Sequence, residues 1–207
     1  MVSYKTRFGQ FRRRYVTPRD PRTLLQVNRR VALRWAALQW SRLTETQRVA
    51  WNASASGART RRRLNQSGPL SGYLLFVRIN CNRAALGLPK LLDPLEPPRF
   101  GKNPVGELTI TNTKGDVALK LSVSGKPAQQ IVVLGASPRS AGATYVDHFT
   151  ILGLLPESDG GVSDITDLYV RKYGPLRAGS RVFIRTLQHI NGWEDLPKQT
   201  TAVIPAA

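Results

Sequence analysis

Residues able to perform acid–base, nucleophilic or metal chemistry are few in this chain and lie far apart in the sequence. The only histidines are His148 and His189, and the only cysteine is Cys81. Two histidines on paired strands could bind a metal ion, but histidines that face solvent or lie satisfied in a core are commoner. Cys81 lies on the apolar side of a predicted helix, in a half of the chain without histidine, which is typical of a small buried residue. We therefore expect no metal site and no nucleophilic cysteine.

The acidic residues give no stronger indication of catalysis. Asp159, Asp164 and Asp167 lie close together, as acids do in calcium-binding loops, but they lack the EF-hand spacing and its final glutamate. The glycine-rich phosphate loops, the Gly-x-Ser-x-Gly turn and the His-Glu-x-x-His zinc motif are all missing from the sequence. An active site requires a convergent set of titratable groups. The sequence therefore predicts a protein that is not an enzyme and uses no cofactor.

Positive charge is concentrated in the first half of the chain. Residues 1–100 contain 20 Lys and Arg against 4 Asp and Glu, a net charge of +16, whereas residues 101–207 contain 11 against 9, a net charge of +2. Lys5 and Lys90 are the only lysines of the first half. Because arginine binds phosphates and carboxylates through a planar fork, we expect an anionic partner for this half, either a nucleic acid or an acidic protein surface.

Three segments supply the arginines expected at this surface. Residues 1–20 interleave cations with aromatic residues without a regular period, so they are either an arm that orders on a partner or a loose basic tail. The first predicted helix carries arginines on its polar side. A dense run of arginines follows in the segment between the second and third predicted helices, which is either a second contact with the anionic partner or a solvated loop. The candidate residues are Arg12, Arg13, Arg14, Arg19, Arg22, Arg29, Arg30, Arg61, Arg62 and Arg63.

Residues 21–88 are predicted to form three helices. Asp20 and Pro21 favour a helix start, and one apolar stripe with steps of three and four residues supports a helix over 21–43. Thr44 and Gln47 form a capping box that starts a second helix. A third helix is predicted over 71–86. The stripe of the first helix consists of Leu24, Val27, Val31, Trp35 and Leu38, and the apolar side of the third consists of Tyr73, Leu74, Val77, Cys81 and Ala84.

Aromatic residues should close the core of these helices. Large rings at helical spacing usually serve packing and touch no ligand. We expect the helical core to be built on Trp35, Leu38, Trp51 and Phe76.

The rest of the chain has a different texture. Residues 89–105 contain five of the 14 prolines and are predicted to form a stiff linker or a strap over a surface. Seven runs rich in Val, Ile, Leu and Thr then alternate with turn residues, which is typical of an antiparallel sandwich. The runs are Glu107–Thr113, Val117–Ser124, Gln130–Leu134, His148–Leu154, Asp167–Arg171, Arg181–His189 and Thr201–Ile204.

The expected fold class is therefore α+β in two domains. A basic arm (1–20), an arginine-rich helical domain (21–88) and a proline-rich linker (89–105) precede an antiparallel β-sandwich (106–207).

Residues 176–204 resemble the last two strands of a fibronectin type III domain. That family has a leucine, a glycine three residues later, a strand, an Asn-Gly type turn and a final strand, which Leu176, Gly179 and Asn191-Gly192 match here. The sequence departs from the family at Val182, where the family usually has the tyrosine of its corner motif. The resemblance implies an immunoglobulin-like sandwich.

Two further resemblances concern the first half. The phrases TPRDPRTLLQVNRR, WSRLTETQRVAWNASA and GPLSGYLLFVRIN are similar to a recurrent pattern in small, uncharacterised bacteriophage and prophage proteins. This similarity implies a virion or phage-assembly setting and no catalytic residues. Separately, PLSGYLLFVRIN is similar to the first helix of an HMG box and WAALQWSRLTETQRVAW to the end of its second helix and the start of its third, in rotated order.

These observations predict a non-enzymatic structural protein of phage or phage-like type, anchored to an anionic surface by its first half. The alternative is an architectural DNA- or RNA-binding protein that contacts the phosphate backbone. A binding module built on the sandwich alone is a third possibility. We expect a homo-oligomer or larger assembly without a membrane partner, located in a virion or the cytoplasm, because the amino terminus lacks the apolar run of a secretory signal.

Overall fold

The computed structural model describes residues 2–6, 9–17, 20, 22–59, 68–125 and 130–206. Within these ranges the chain is α+β, with helices concentrated before residue 88 and antiparallel strands after residue 104. We refer to the described residues between 22 and 88 as the helical part and to residues 105–206 as the sheet region. The predicted residues Arg19, Arg61, Arg62 and Arg63 lie outside the described ranges.

The amino-terminal arm forms a hairpin, although the sequence indicated no regular period there. Strand β1 (Val2–Thr6) pairs antiparallel with β2 (Gly9–Arg13), and the register places Tyr4 opposite Phe11. The two rings stack with their centroids 5.8 Å apart. Cross-strand aromatic pairs of this kind are a main source of stability in a two-stranded ribbon.

Three helices form the helical part, and side-chain caps define their starts. Helix α1 is Leu24–Arg42, α2 is Glu45–Ala55 and α3 is Gly72–Ala85. Helix α2 has the predicted capping box, in which Gln47 N–H donates to Thr44 Oγ1 (3.2 Å) and Thr44 N–H donates to Gln47 Oε1 (3.1 Å). Helix α1 starts later than predicted, because Thr23 and Gln26 form a second capping box. Ser71 caps α3.

The core of the helical part uses other helix faces than the sequence pattern predicted. Ala32 and Ala36 are the buried residues of α1, and Ala36 packs in one cluster with Trp51 of α2 and Phe76 of α3. Trp35 is partly buried and stacks on Phe76 at 6.1 Å. Leu38, expected in the core, is 48% exposed and therefore does not belong to it.

The backbones of α2 and α3 approach each other closely where α3 begins. An added Cβ on Gly72 at the start of α3 would lie 2.7 Å from the backbone nitrogen of Asn52 in α2, and Gly72 N–H donates to Asn52 Oδ1 at 3.1 Å. Residues without bulk therefore face the neighbouring helix. On α3 the buried side carries Leu75, Phe76 and Ile79, whereas Tyr73 and Leu74, predicted to be buried, are exposed.

The sheet region contains two antiparallel sheets. One has the order β3-β4-β8, and the other has the order β10-β9-β5-β7, with β6 and β11 also paired to β9. The strands are β3 (Val105–Thr113), β4 (Asp116–Val123), β5 (Gln130–Gly135), β6 (Arg139–Ser140), β7 (Thr150–Leu154), β8 (Val162–Asp164), β9 (Ser180–Ile190), β10 (Trp193–Glu194) and β11 (Lys198–Val203).

Residues of both sheets share one hydrophobic core. Along β4 the buried residues Val117, Leu119, Leu121 and Val123 alternate with more exposed ones, as a strand with one face on a core requires. Val117, Leu119 and Leu121 pack in the same cluster as Ile131 and Val133 of β5 and Val182 and Ile184 of β9.

The predicted strand Asp167–Arg171 is wrong, because this segment is a helix, α4 (Thr166–Tyr173). Ile165, Tyr169 and Tyr173 recur every fourth residue, and this spacing turns them toward the core of the sheet region. Gly174 ends the helix with a φ of +80°. The short apolar run was compatible with both a strand and a helix, and burial of the Tyr169 ring against the sheets favours the helix.

The proline-rich segment, residues 89–105, is hydrogen-bonded to both the helical part and the sheet region. Trp51 Nε1–H donates to Leu92 O (2.7 Å), and Asn80 exchanges hydrogen bonds with the backbone of Leu91. Further along, Gln188 donates to Gly101 O at 2.7 Å. The β9–β10 turn adds a direct contact between the two regions, since Asn82 of α3 donates to Gly192 O at 2.9 Å.

Candidate anion-binding surface

The hairpin carries cations on both of its faces and its two described aromatic rings on one. Because side chains alternate along a strand, Tyr4, Phe11 and Arg13 share one face, and Lys5 and Arg12 share the other. The Arg13 guanidinium carbon lies 6.0 Å from the centre of the Tyr4 ring. The hairpin can therefore present two exposed cations on one side and a ring pair beside an arginine on the other.

The arginines that follow the hairpin differ in whether they form an ion pair with a carboxylate. Arg14 and Arg22 are exposed and have no carboxylate partner among the described residues. Arg30 binds Asp20 in a fork, with distances of 2.8 and 2.9 Å. This hydrogen bonding holds the pKa of the Asp20 carboxyl below its usual range and raises the pKa of Arg30. Of the predicted arginines on α1, Arg30 is thus already bound to an acid.

The apolar stripe of α1 faces solvent. Leu24 is 77% exposed and Val31 59% exposed, and Val27 and Leu38 on the same side are also exposed. We call these four residues the α1 stripe. Exposed arginines border it, because Arg34 lies three residues after Val31 and Arg42 lies four residues after Leu38. Contiguous exposed apolar side chains of this kind mark interaction surfaces.

Sequence reasoning missed a second group of arginines, which lines a cleft between the helical part and the sheet region. Arg29, Arg78 and Arg185 come from α1, α3 and β9, respectively, and line the same cleft of about 900 Å³. Only Arg29 was among the predicted residues. No local pattern could have identified Arg185, since its neighbours in the cleft are remote in sequence.

The residues considered for chemistry lie apart in the structure. His148 is exposed before β7, whereas His189 is 2% exposed on β9, and neither of its ring nitrogens has a hydrogen-bond partner. Burial lowers the pKa of His189 and raises the pKa of the Cys81 thiol. Within the described residues, no group of three or more His, Cys, Asp and Glu side chains could hold a metal ion.

Comparison of the chain with models of known protein families, with curated proteins and with solved structures finds no match. Among the described residues, no helix is both long enough and apolar enough to cross a membrane.

Proposed function

We propose that this chain is a non-enzymatic structural protein that binds an acidic protein surface through its arginine-rich first half. The observation that carries the proposal is the exposure of the α1 stripe beside Arg34 and Arg42, which have no acidic partner in the part of the chain that the structure describes. A protein surface with an apolar centre and an acidic rim is complementary to such a helix face, because its apolar centre would cover the stripe and its acids would pair with Arg34 and Arg42.

The α1 stripe also favours a protein neighbour over a nucleic acid. Nucleic-acid binding depends mainly on cations and polar donors that contact phosphates and sugars. Exposed leucine and valine side chains contribute little to such contacts. Their burial against an apolar protein surface contributes about 1.5–3 kcal/mol for each large side chain.

The resemblance of residues 17–80 to small phage and prophage proteins supports a role in a virion or in phage assembly. The protein would then be located in the virion or in the cytoplasm. In this proposal the sheet region is a separate domain, an immunoglobulin-like sandwich of the fibronectin type III kind, which acts as an interaction module. Copies of the chain join into a homo-oligomer or a larger assembly. Light scattering that gives a monomer mass across a concentration series at physiological salt would contradict this last part.

The alternative function, an architectural nucleic-acid binder, is favoured by the hairpin. A two-stranded ribbon fits the major groove of duplex DNA, and aromatic side chains such as Tyr4 and Phe11 stack on unpaired bases. Arg12, Arg13 and Arg14 would then contact phosphates.

Binding by two sets of variants separates these functions. The ligands are an acidic amphipathic helical peptide, with leucines at helical spacing and glutamates elsewhere, and generic duplex and single-stranded DNA and RNA across a salt series. We expect the peptide to bind, and the double variant Leu24→Ser/Val31→Ser to weaken it by at least about tenfold. Leu196→Ser is the matched control, because Leu196 is also strongly exposed but lies in the sheet region.

The nucleic-acid alternative predicts the opposite pattern. DNA or RNA would bind more tightly than the peptide, with an affinity that falls steeply with salt. Replacing Arg12, Arg13 and Arg14 by glutamine would abolish this binding, and the double variant of the α1 stripe would leave it unchanged. That result would replace the proposed function by its alternative.

A further inference from the structure

The cleft between the helical part and the sheet region has the features of a binding site for a small ligand. Its volume of about 900 Å³ lies within the range of roughly 300–1,000 Å³ typical of ligand pockets. Helices α1 and α3 form one side, and strands β5, β7 and β9 contribute to the other.

Arg185 is held in place in this cleft by two contacts. Its guanidinium carbon lies 3.8 Å from the centre of the Phe149 ring, and its Nε–H donates to Gln199 Oε1 at 2.9 Å. Among the described residues, no carboxylate lies within ion-pair distance of Arg185, and its two terminal nitrogens donate no hydrogen bond. Burial lowers the pKa of Arg185, consistent with a guanidinium held partly away from water. Such a group is pre-arranged to receive an oxyanion through its free fork.

A second arginine reaches the cleft from the helical part. Arg29 on α1 has no ion pair among the described residues, and its charge lowers the pKa of Cys81, against the larger opposite effect of burial. Arg29 and Cys81 both line the cleft. The two arginines come from different parts of the chain, so the site exists only in the assembled structure.

The remaining lining restricts the class of ligand. Leu25, Leu134 and Leu187 offer apolar surface, which suits an apolar body attached to the anionic group. Asp147 and Glu194 also line the cleft and offset part of the positive charge of Arg29, Arg78 and Arg185, so the cleft suits a polyanion such as a nucleic-acid strand less well than a ligand of low charge. The cleft thus suits a ligand with one anionic head.

We propose that this cleft binds a small amphipathic organic anion, whose phosphate or carboxylate head is held by Arg185 and Arg29 and whose apolar body lies on the leucines. This site is separate from the α1 stripe and does not depend on the function proposed for it.

The test is calorimetric titration of the full chain with octyl phosphate and octanoate, each below its micelle concentration, and with octanol and inorganic phosphate. We expect one equivalent of octyl phosphate or octanoate to bind, and octanol and inorganic phosphate to bind at least about tenfold more weakly. Arg185→Gln and Arg29→Gln should each weaken binding of the anion by at least about tenfold. Arg177→Gln, a change of an exposed arginine outside the cleft, should leave it unchanged.

Two further measurements keep the test decisive. If Arg185→Gln does not fold, Arg29→Gln decides, because Arg29 is exposed on a helix and tolerates substitution. The bound anion should slow alkylation of Cys81, the only cysteine, and the Leu24→Ser/Val31→Ser variant should bind it normally. Anion binding no tighter than that of octanol, or equal binding by wild type and Arg29→Gln, would overturn the proposal.

Discussion

The helical part and the sheet region bury their apolar residues in opposite ways. Along β4 the large apolar residues, such as Leu119 and Leu121, are buried, and the residues between them are more exposed. Along α1 the buried residues are Ala32 and Ala36, while the larger Leu24 and Val31 face solvent. Strand β4 therefore has its large apolar side chains covered by the rest of the sheet region, whereas α1 exposes an apolar face of the kind that marks interaction surfaces.

Charge follows the same division. The first 100 residues carry a net charge of +16 and the rest +2. Two ion pairs, Asp20–Arg30 and Glu45–Arg48, lie in the first half, and among the described residues Arg14, Arg34 and Arg42 have no carboxylate within ion-pair distance. The exposed apolar face and the uncompensated charge occur together, which is why we assign partner binding to the helical part and the hairpin.

The largest expected effect is a difference in the free energy of unfolding between substitutions in the core of the helical part and in the α1 stripe. Phe76→Ala should lower the free energy of unfolding by about 3–5 kcal/mol, because Phe76 is fully buried and contacts the rings of Trp35, Trp40 and Trp51. Leu24→Ala should change it by no more than about 0.5 kcal/mol. Denaturant unfolding followed by tryptophan fluorescence measures both. Equal destabilisation by the two substitutions would show that the stripe is part of the core.

A smaller effect is expected from one hydrogen bond in the sheet region. Tyr169 Oη–H donates to Ala136 O at 2.6 Å in a buried site. Tyr169→Phe leaves that carbonyl without its partner and should lower the free energy of unfolding by about 1–3 kcal/mol. Tyr173→Phe is the matched control, because its bond to Gly135 O (2.7 Å) is only partly buried, so its loss should cost less. Denaturant unfolding of both variants provides the comparison, and a larger loss for Tyr173→Phe would refute it.

Acid should destabilise the sheet region through protonation of the buried His189. Burial lowers the folded-state pKa of His189, with the Glu194 carboxylate opposing this shift and the Arg83 charge adding to it. The unfolded chain therefore binds the proton more tightly, and the free energy of unfolding should fall as the pH is lowered through the ordinary histidine pKa of about 6.5 toward the depressed folded value.

Unfolding at a series of pH values measures this loss. His189→Gln should remove the histidine contribution to the slope, and the exposed His148→Gln should not. Parallel pH profiles for wild type and His189→Gln would mean that His189 does not titrate on unfolding in this range.

The smallest effect is expected at the Asp20–Arg30 pair. Both side chains are exposed, so Asp20→Asn should leave the midpoint of unfolding unchanged. It should, however, speed tryptic cleavage at Arg22, because the fork that ties Asp20 to α1 is lost. Glu45→Gln breaks the other exposed pair and serves as the control. An unchanged cleavage rate in Asp20→Asn would show that the fork does not order this segment.

Local signals in the sequence located several elements correctly, but they placed the start of α1 too early, did not indicate the hairpin and gave residues 167–171 the wrong type. Thr44 and Gln47 correctly placed the start of α2, and Ser71 lies at the start of α3. The run predicted over Glu107–Thr113 lies within β3. Residues 167–171 were predicted as a strand because a short apolar run fits both periods, and only packing of Tyr169 against the sheets selects the helix.

The sequence by itself determined the division of charge, the helix caps and the alternation along strands such as β4, since each depends on composition or on residues a few positions apart. Only the tertiary structure decided which face of α1 is buried and that Arg29 and Arg185 line one cleft. The buried side of α1 carries Ala32 and Ala36, and the larger apolar residues Leu24 and Val31 lie on the exposed side, which the apolar pattern of the helix alone did not indicate. The pairing of Arg185 with Phe149 likewise depends on strand packing, which no local pattern encodes.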